Sequence, residues 1–86
     1  MRFEQFRQRL SLEFRTGRDI CSDELVENFI EDLTKVINIK RKEIIVLTYV
    51  KSGVVAIDIL SKASFLISDV LNVVEYWFDP REVDIL

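Results

Sequence analysis

Histidine is absent from this chain of 86 residues, cysteine and proline occur once each, and glycine occurs twice. Without histidine the chain lacks the side chain that titrates nearest neutrality and the commonest nitrogen ligand of metal ions. The lone Cys21 can form neither an internal disulfide nor a thiolate metal cluster, which favours a reducing, cytoplasmic setting. With no imidazole to act as its base, Cys21 is read as an inert thiol rather than a nucleophile. Three glycines and prolines in all leave little material for loops, so regular structure should dominate. Long apolar runs are missing as well. None reaches the ~18 residues of a membrane span, and the opening MRFEQFRQRL has no apolar core of a secretory signal.

What remains is 49% hydrophobic and 31% charged, a folding composition rather than a disordered one. The length fits one domain, residues 1–86. A domain of this size buries only about 60–65% of its unfolded surface, so a good core or a partner has to support it. The net charge of −3 argues against nucleic acid as the partner, because domains that bind it are usually basic. The charge is also uneven. Residues 1–20 carry five Arg against three acids, residues 21–37 carry five acids against Lys35, and Lys40, Arg41 and Lys42 form a basic run. Solvated faces of opposite sign are the plain reading. A basic N-terminal arm meeting an acidic helix of a neighbouring copy is the sharper one.

Leu10, Leu12 and Phe14 alternate with Arg9, Ser11, Glu13 and Arg15. This predicts a strand over about 8–15 with one wet face, preceded by a short helical lead-in with Phe3 and Phe6. Ser22 is a good helix N-cap, and Asp23 and Glu24 oppose the positive end of the dipole. Leu25, Val26, Phe29, Ile30, Leu33, Val36 and Ile37 then form one apolar helical face up to about Asn38.

The stretch from Ile44 to Leu60, IIVLTYV-KSG-VVAIDIL, is the most informative. Twelve of its seventeen residues are apolar, and they lie on both faces of the pleat. A loop of Lys51, Ser52 and Gly53, with glycine free to take positive φ, makes a hairpin. That loop puts Ile45, Leu47 and Tyr49 inward with Val55, Ile57 and Ile59. Ile44, Val46, Thr48, Val50, Val54, Ala56 and Asp58 then face outward. A two-residue Ser52-Gly53 turn would shift the pairing by one residue and mix these sets. In either case aliphatics are left on the outer face.

A second helix is expected over about 62–78, with a narrow polar stripe and an apolar arc wider than one sheet face requires. Pro80 ends it. Val83 and Ile85 alternate with Glu82 and Asp84 in a short last strand. The order β-α-β-β-α-β predicts an α+β fold, the ferredoxin-like plait, with both helices on one face of an antiparallel sheet. Crossover handedness favours the strand order 4-1-3-2.

The chemistry such a fold can host depends on its site. RNA recognition on this sheet needs aromatic rings on the exposed faces of strands one and three. Those positions offer Arg9, Ser11, Glu13, Arg15, Val54, Ala56 and Asp58, with no ring among them. Gly17-Arg18 before the first helix is only a faint echo of a phosphate cradle. Asp58 interrupts an aliphatic strand, where it keeps that face soluble or pairs with Arg9 or Arg15.

The run from Leu25 to Leu60, with its amphipathic helix, Asn38-Ile39, strand, glycine turn and Val-rich strand, resembles SEA domains. It is also similar in layout to the amino-terminal α/β domain of a death-receptor adaptor. SEA domains that cleave themselves do so between Gly and Ser before a valine run. The order here is Ser52-Gly53-Val54-Val55, so the resemblance implies the fold without that reaction.

The sequence therefore points to a non-enzymatic module that binds protein, most simply a second copy of itself, with no cofactor and no metal. Its candidate contact residues are Ile44, Val46, Val50, Val54 and Ala56 on the hairpin, and Ile67, Leu71 and Phe78 on the second helix. Two other readings are an anion or small-molecule site between the first helix and the Thr16–Asp19 loop, and nucleic-acid binding through Arg2, Arg7, Arg9, Arg15 and Arg18.

Overall fold

The alternation at Leu10, Leu12 and Phe14 and the 3.6-residue period after Ser22 both become the elements they announce. A computed structural model describes residues 5–18 and 22–86. The expected lead-in at Phe3 and the inert Cys21 lie outside the described residues. The elements run β1 (Gln8–Thr16), α1 (Asp23–Ile37), a 3-10 turn (Arg41–Glu43), β2 (Ile44–Lys51), β3 (Val54–Ser61), α2 (Ile67–Phe78) and β4 (Pro80–Ile85).

The four strands form one antiparallel sheet in the order β2-β3-β1-β4, which from the other edge reads 4-1-3-2. The chain is thus an α+β fold of four antiparallel strands and two helices. Its core is a single cluster. Leu10, Leu12 and Phe14 of β1 and Val55, Ile57 and Ile59 of β3 meet Phe29, Ile30 and Leu33 of α1 and Val70, Val73, Val74 and Phe78 of α2. Phe78 lies at its centre, 4.8 Å from the Phe29 ring and 5.7 Å from the Phe14 ring. All of these strand residues come from one face, so both helices pack there and leave the other face bare.

Both helices are fastened at their ends. At α1 the Ser22 hydroxyl accepts from the Leu25 N–H at 3.4 Å, and Asn38 closes the helix in the left-handed region, where Asn is tolerated. The last carbonyls of α2, which have no partner inside the helix, are taken by β1 and the segment after it. The Thr16 hydroxyl donates to Phe78 O at 2.7 Å, and Arg18 Nη1 donates to Trp77 O at 3.0 Å. Trp77 Nε1 donates to Asp32 Oδ2 of α1 at 3.0 Å, which satisfies the polar atom of a half-buried ring.

α2 begins at Ile67, five residues later than its apolar pattern suggests. The segment before it is held by other bonds. The buried Ser61 hydroxyl bonds both the N–H and the carbonyl of Ala63, and the Gln8 side chain accepts from Phe65 N–H at 2.9 Å. A side chain from β1 thus fixes the backbone where a helical first turn would otherwise form.

Candidate functional site

The uncovered face of the sheet depends on the register of the β2–β3 hairpin, and that register differs from the one expected. Lys51 pairs with Val54, so the turn has two residues, Ser52 at φ 53° and Gly53 at φ 76°. Two successive left-handed residues are what a tight turn matched to the strand twist requires. Tyr49 consequently pairs with Ala56, Leu47 with Asp58 and Ile45 with Leu60. These six residues share the outer face. Ile44, Val46, Thr48 and Val50 pair with Ser61, Ile59, Ile57 and Val55 and face the helices.

Several expected contact residues are relocated by this shift. Ile44 is buried at 2% exposure, and Val46 is half-buried against the core. Val50 also lies on the inner face but is 47% exposed, at the open edge near the turn. Val54 and Ala56 remain on the outer face, both partly exposed. On α2, Ile67 is exposed, Leu71 is half-buried against the core and Phe78 is fully buried. Phe78 is therefore a core residue, and the exposed aromatic of that helix is Tyr76. The residues missed by sequence reasoning are Ile45, Leu47, Tyr49 and Leu60. The signal that could have found them was the Ser52-Gly53 dipeptide read as a two-residue turn.

The outer face divides into two halves. On β2 and β3 it carries Ile45, Leu47, Tyr49, Val54, Ala56 and Leu60, with Leu47 at 41% and Tyr49 at 60% exposure, around two charges, Asp58 of β3 and Lys51 beside the turn. On β1 and β4 it is ionic. Asp58 accepts a hydrogen bond from the Ser11 hydroxyl and lies 3.6 Å from Arg9 Nη2. Arg15 Nε lies 3.6 Å from Glu82 Oε2. The Asp58 carboxylate thus leans towards β1 and leaves the β2 side of the face apolar.

A second apolar feature lies between α2 and β4. There Leu71, Val74, Val83 and Ile85 line a groove of about 340 Å³ together with Glu75, Asp79 and Pro80. Three of the five arginines proposed as a nucleic-acid arm make intramolecular contacts. Arg9 and Arg15 pair with acids and Arg18 caps α2, while Arg2 lies outside the described residues. Capping by Arg18 also takes the one cation of the proposed anion loop; Asp19 of that loop lies outside the described residues. Among the described residues no three His, Cys, Asp or Glu side chains converge as metal ligands. Among the same residues no helix is long and apolar enough to cross a membrane.

No protein-family model matches the chain, and no curated protein or solved structure is similar enough to count as a relative.

Proposed function

We propose that this protein is a non-enzymatic interaction module of the ferredoxin-like type that self-associates through the apolar half of its uncovered sheet. The observation that carries this reading is the segregation of that face. Six apolar residues of β2 and β3 surround Asp58, whose carboxylate is drawn to Ser11 and Arg9 of β1, and the other ion pair of that face joins β1 to β4. A solvated sheet face normally alternates with polar residues, and contiguous apolar patches on a soluble subunit mark contact surfaces. Burial returns about 25 cal/mol per Å² of apolar surface, against an association cost of several kcal/mol. A modest, reversible homo-oligomer is the outcome these magnitudes favour. A cytoplasmic setting belongs to the same reading, since a chain with one cysteine draws no internal disulfide from an oxidising compartment.

Sedimentation across a concentration series tests it. The wild-type chain should be dimeric or larger at micromolar concentration, and Leu47→Lys should shift it to monomer. Lysine at that position sits opposite Asp58, so the subunit itself should keep its circular dichroism and melting temperature. A monomer at every concentration up to hundreds of micromolar would end the proposal.

A further inference from the structure

Strand β2 is the outermost strand on its side of the sheet. Lys62 N–H donates to Glu43 O at 2.9 Å, which makes residues 43 and 62 a hydrogen-bonded pair. Such pairs alternate along an antiparallel ladder. Residues 45, 47, 49 and 51 therefore direct their backbone groups to β3, and residues 44, 46, 48 and 50 direct theirs away from the sheet. At Ile44 both outward groups are engaged locally. Its N–H bonds Arg41 O, and its carbonyl accepts from Arg41 Nη1 at 3.2 Å. Val46, Thr48 and Val50 have no such cover among the described residues. The edge they form, Ile44 to Val50, contains no charge, proline or glycine, the devices by which edge strands normally avoid pairing.

We propose that β2 pairs antiparallel with β2 of a second copy across a twofold axis at Leu47, so that two four-stranded sheets become one continuous sheet. This rests on the self-association reading above and specifies its geometry. The axis position follows from three observations. First, the open backbone groups of Val46 and Thr48 flank Leu47, so each strand's Val46 meets Thr48 of the partner subunit in a hydrogen-bonded pair. The ladder then fades at Ile44, where Arg41 closes the edge.

Second, the charges at the two ends become complementary. Glu43 lies opposite Lys51 of the partner subunit, and Lys51 opposite Glu43 of the partner subunit. Neither residue takes part in an ion pair among the described residues. Sliding the register by one pleat sets Arg41 against Lys51 in one direction, which repels. In the other direction it sets Ile45 against Lys51.

Third, the outer apolar residues fall at the closely spaced positions of the new ladder, Leu47 on Leu47 and Ile45 on Tyr49, where side chains approach most nearly. The stripe of one copy thereby continues across the axis into that of the other. A paired length of about 25 Å, at roughly 3.4 Å per residue, belongs to the small end of specific interfaces. An interface of that size forms a reversible dimer whose population depends on concentration.

Sedimentation equilibrium of the full chain and three variants tests the geometry. Val46→Pro removes an outward N–H that β3 does not use, so the fold should tolerate it at an edge, and dimer affinity should fall by at least about tenfold. Lys51→Glu should weaken the dimer by about tenfold, because two attractive end pairs become repulsive. The double reversal Glu43→Lys with Lys51→Glu should restore wild-type affinity to within about twofold. This charge cycle keeps the test decisive if the proline variant unfolds. Suppose the dimer tolerates Val46→Pro and Lys51→Glu but is lost in Leu47→Lys. The copies would then be stacking face to face, which overturns edge pairing while leaving self-association standing. A wild-type chain that never dimerises overturns both.

Discussion

The two edges of the sheet are built on opposite plans. β4 opens with Pro80, carries Arg81, Glu82 and Asp84 among its six residues, and breaks register against β1 between Glu13 and Arg15, with Glu82 at φ 54°. β2 runs eight residues in unbroken register with β3, and its one charge is Lys51 at the turn. Proline, charges and bulges blunt an edge against further pairing. An uncharged run rich in Ile, Val and Tyr invites it and is a hazard if left open. The difference is that one edge is blunted against further pairing while the other is left open, as the proposed dimer requires. The uncovered face has the same polarity, ionic beside β4 and apolar beside β2.

Removing the protection of β4 should break the contrast most dramatically. Glu82→Asn, which tolerates the φ of 54° there, with Asp84→Val removes two of the three charges that guard this edge and should let it pair as well. A molecule with an isologous contact at each end assembles into open chains. Light scattering should rise steadily with concentration beyond the dimer, and a particle that stays at two copies would show that charge is not what separates the edges.

Next in size is the contrast between the two faces. Phe78→Ala, which empties the centre of the core, should cost about 3–5 kcal/mol of unfolding free energy. Leu47→Ala on the bare face should stay within about 0.5 kcal/mol. Urea titrations at low protein concentration give both values, and equal costs would mean that the bare face is packed in the subunit.

A smaller effect belongs to Thr48, whose buried Oγ1 has no hydrogen-bond partner among the described residues. Leaving such a group unpaired costs about 1–3 kcal/mol, so Thr48→Val should raise stability by about 1 kcal/mol. An unchanged or lower stability would show that the hydroxyl is satisfied in solution. Smallest of all is the exposed Arg15–Glu82 pair at the blunted edge, 3.6 Å apart. Exposed pairs contribute only about 0–1 kcal/mol, so Glu82→Gln should lower the melting temperature by no more than about 4–8 °C.

Much of the layout could be read from the residues themselves. The Ser22 cap and the apolar period of α1 mark their helix within a residue or two, and the alternation at Leu10, Leu12 and Phe14 marks a strand with one wet face. The hairpin register could not be read the same way, for a physical reason. Apolar side chains occupy both faces of Ile44–Leu60, so the hydrophobic pattern gives either register a greasy interior. Only turn chemistry breaks the tie, and Ser52-Gly53 is a weaker signal for two left-handed residues than Asn-Gly or Asp-Gly. The late start of α2 was hidden for a different reason, since it depends on the Gln8 side chain reaching Phe65 N–H across 57 positions. The candidate surface inherited the register error. Ile44 and Val46 moved to the inner face, and Ile45, Leu47 and Tyr49 took their place outside.

Amide hydrogen exchange followed by NMR at low and high protein concentration addresses the junction directly. The account predicts that the Val46 and Thr48 amides exchange rapidly when the protein is dilute and become protected as it is concentrated, while exchange along β4 does not change. Amides at Val46 and Thr48 that exchange at one rate across the whole range, in a protein that is otherwise folded, would contradict it.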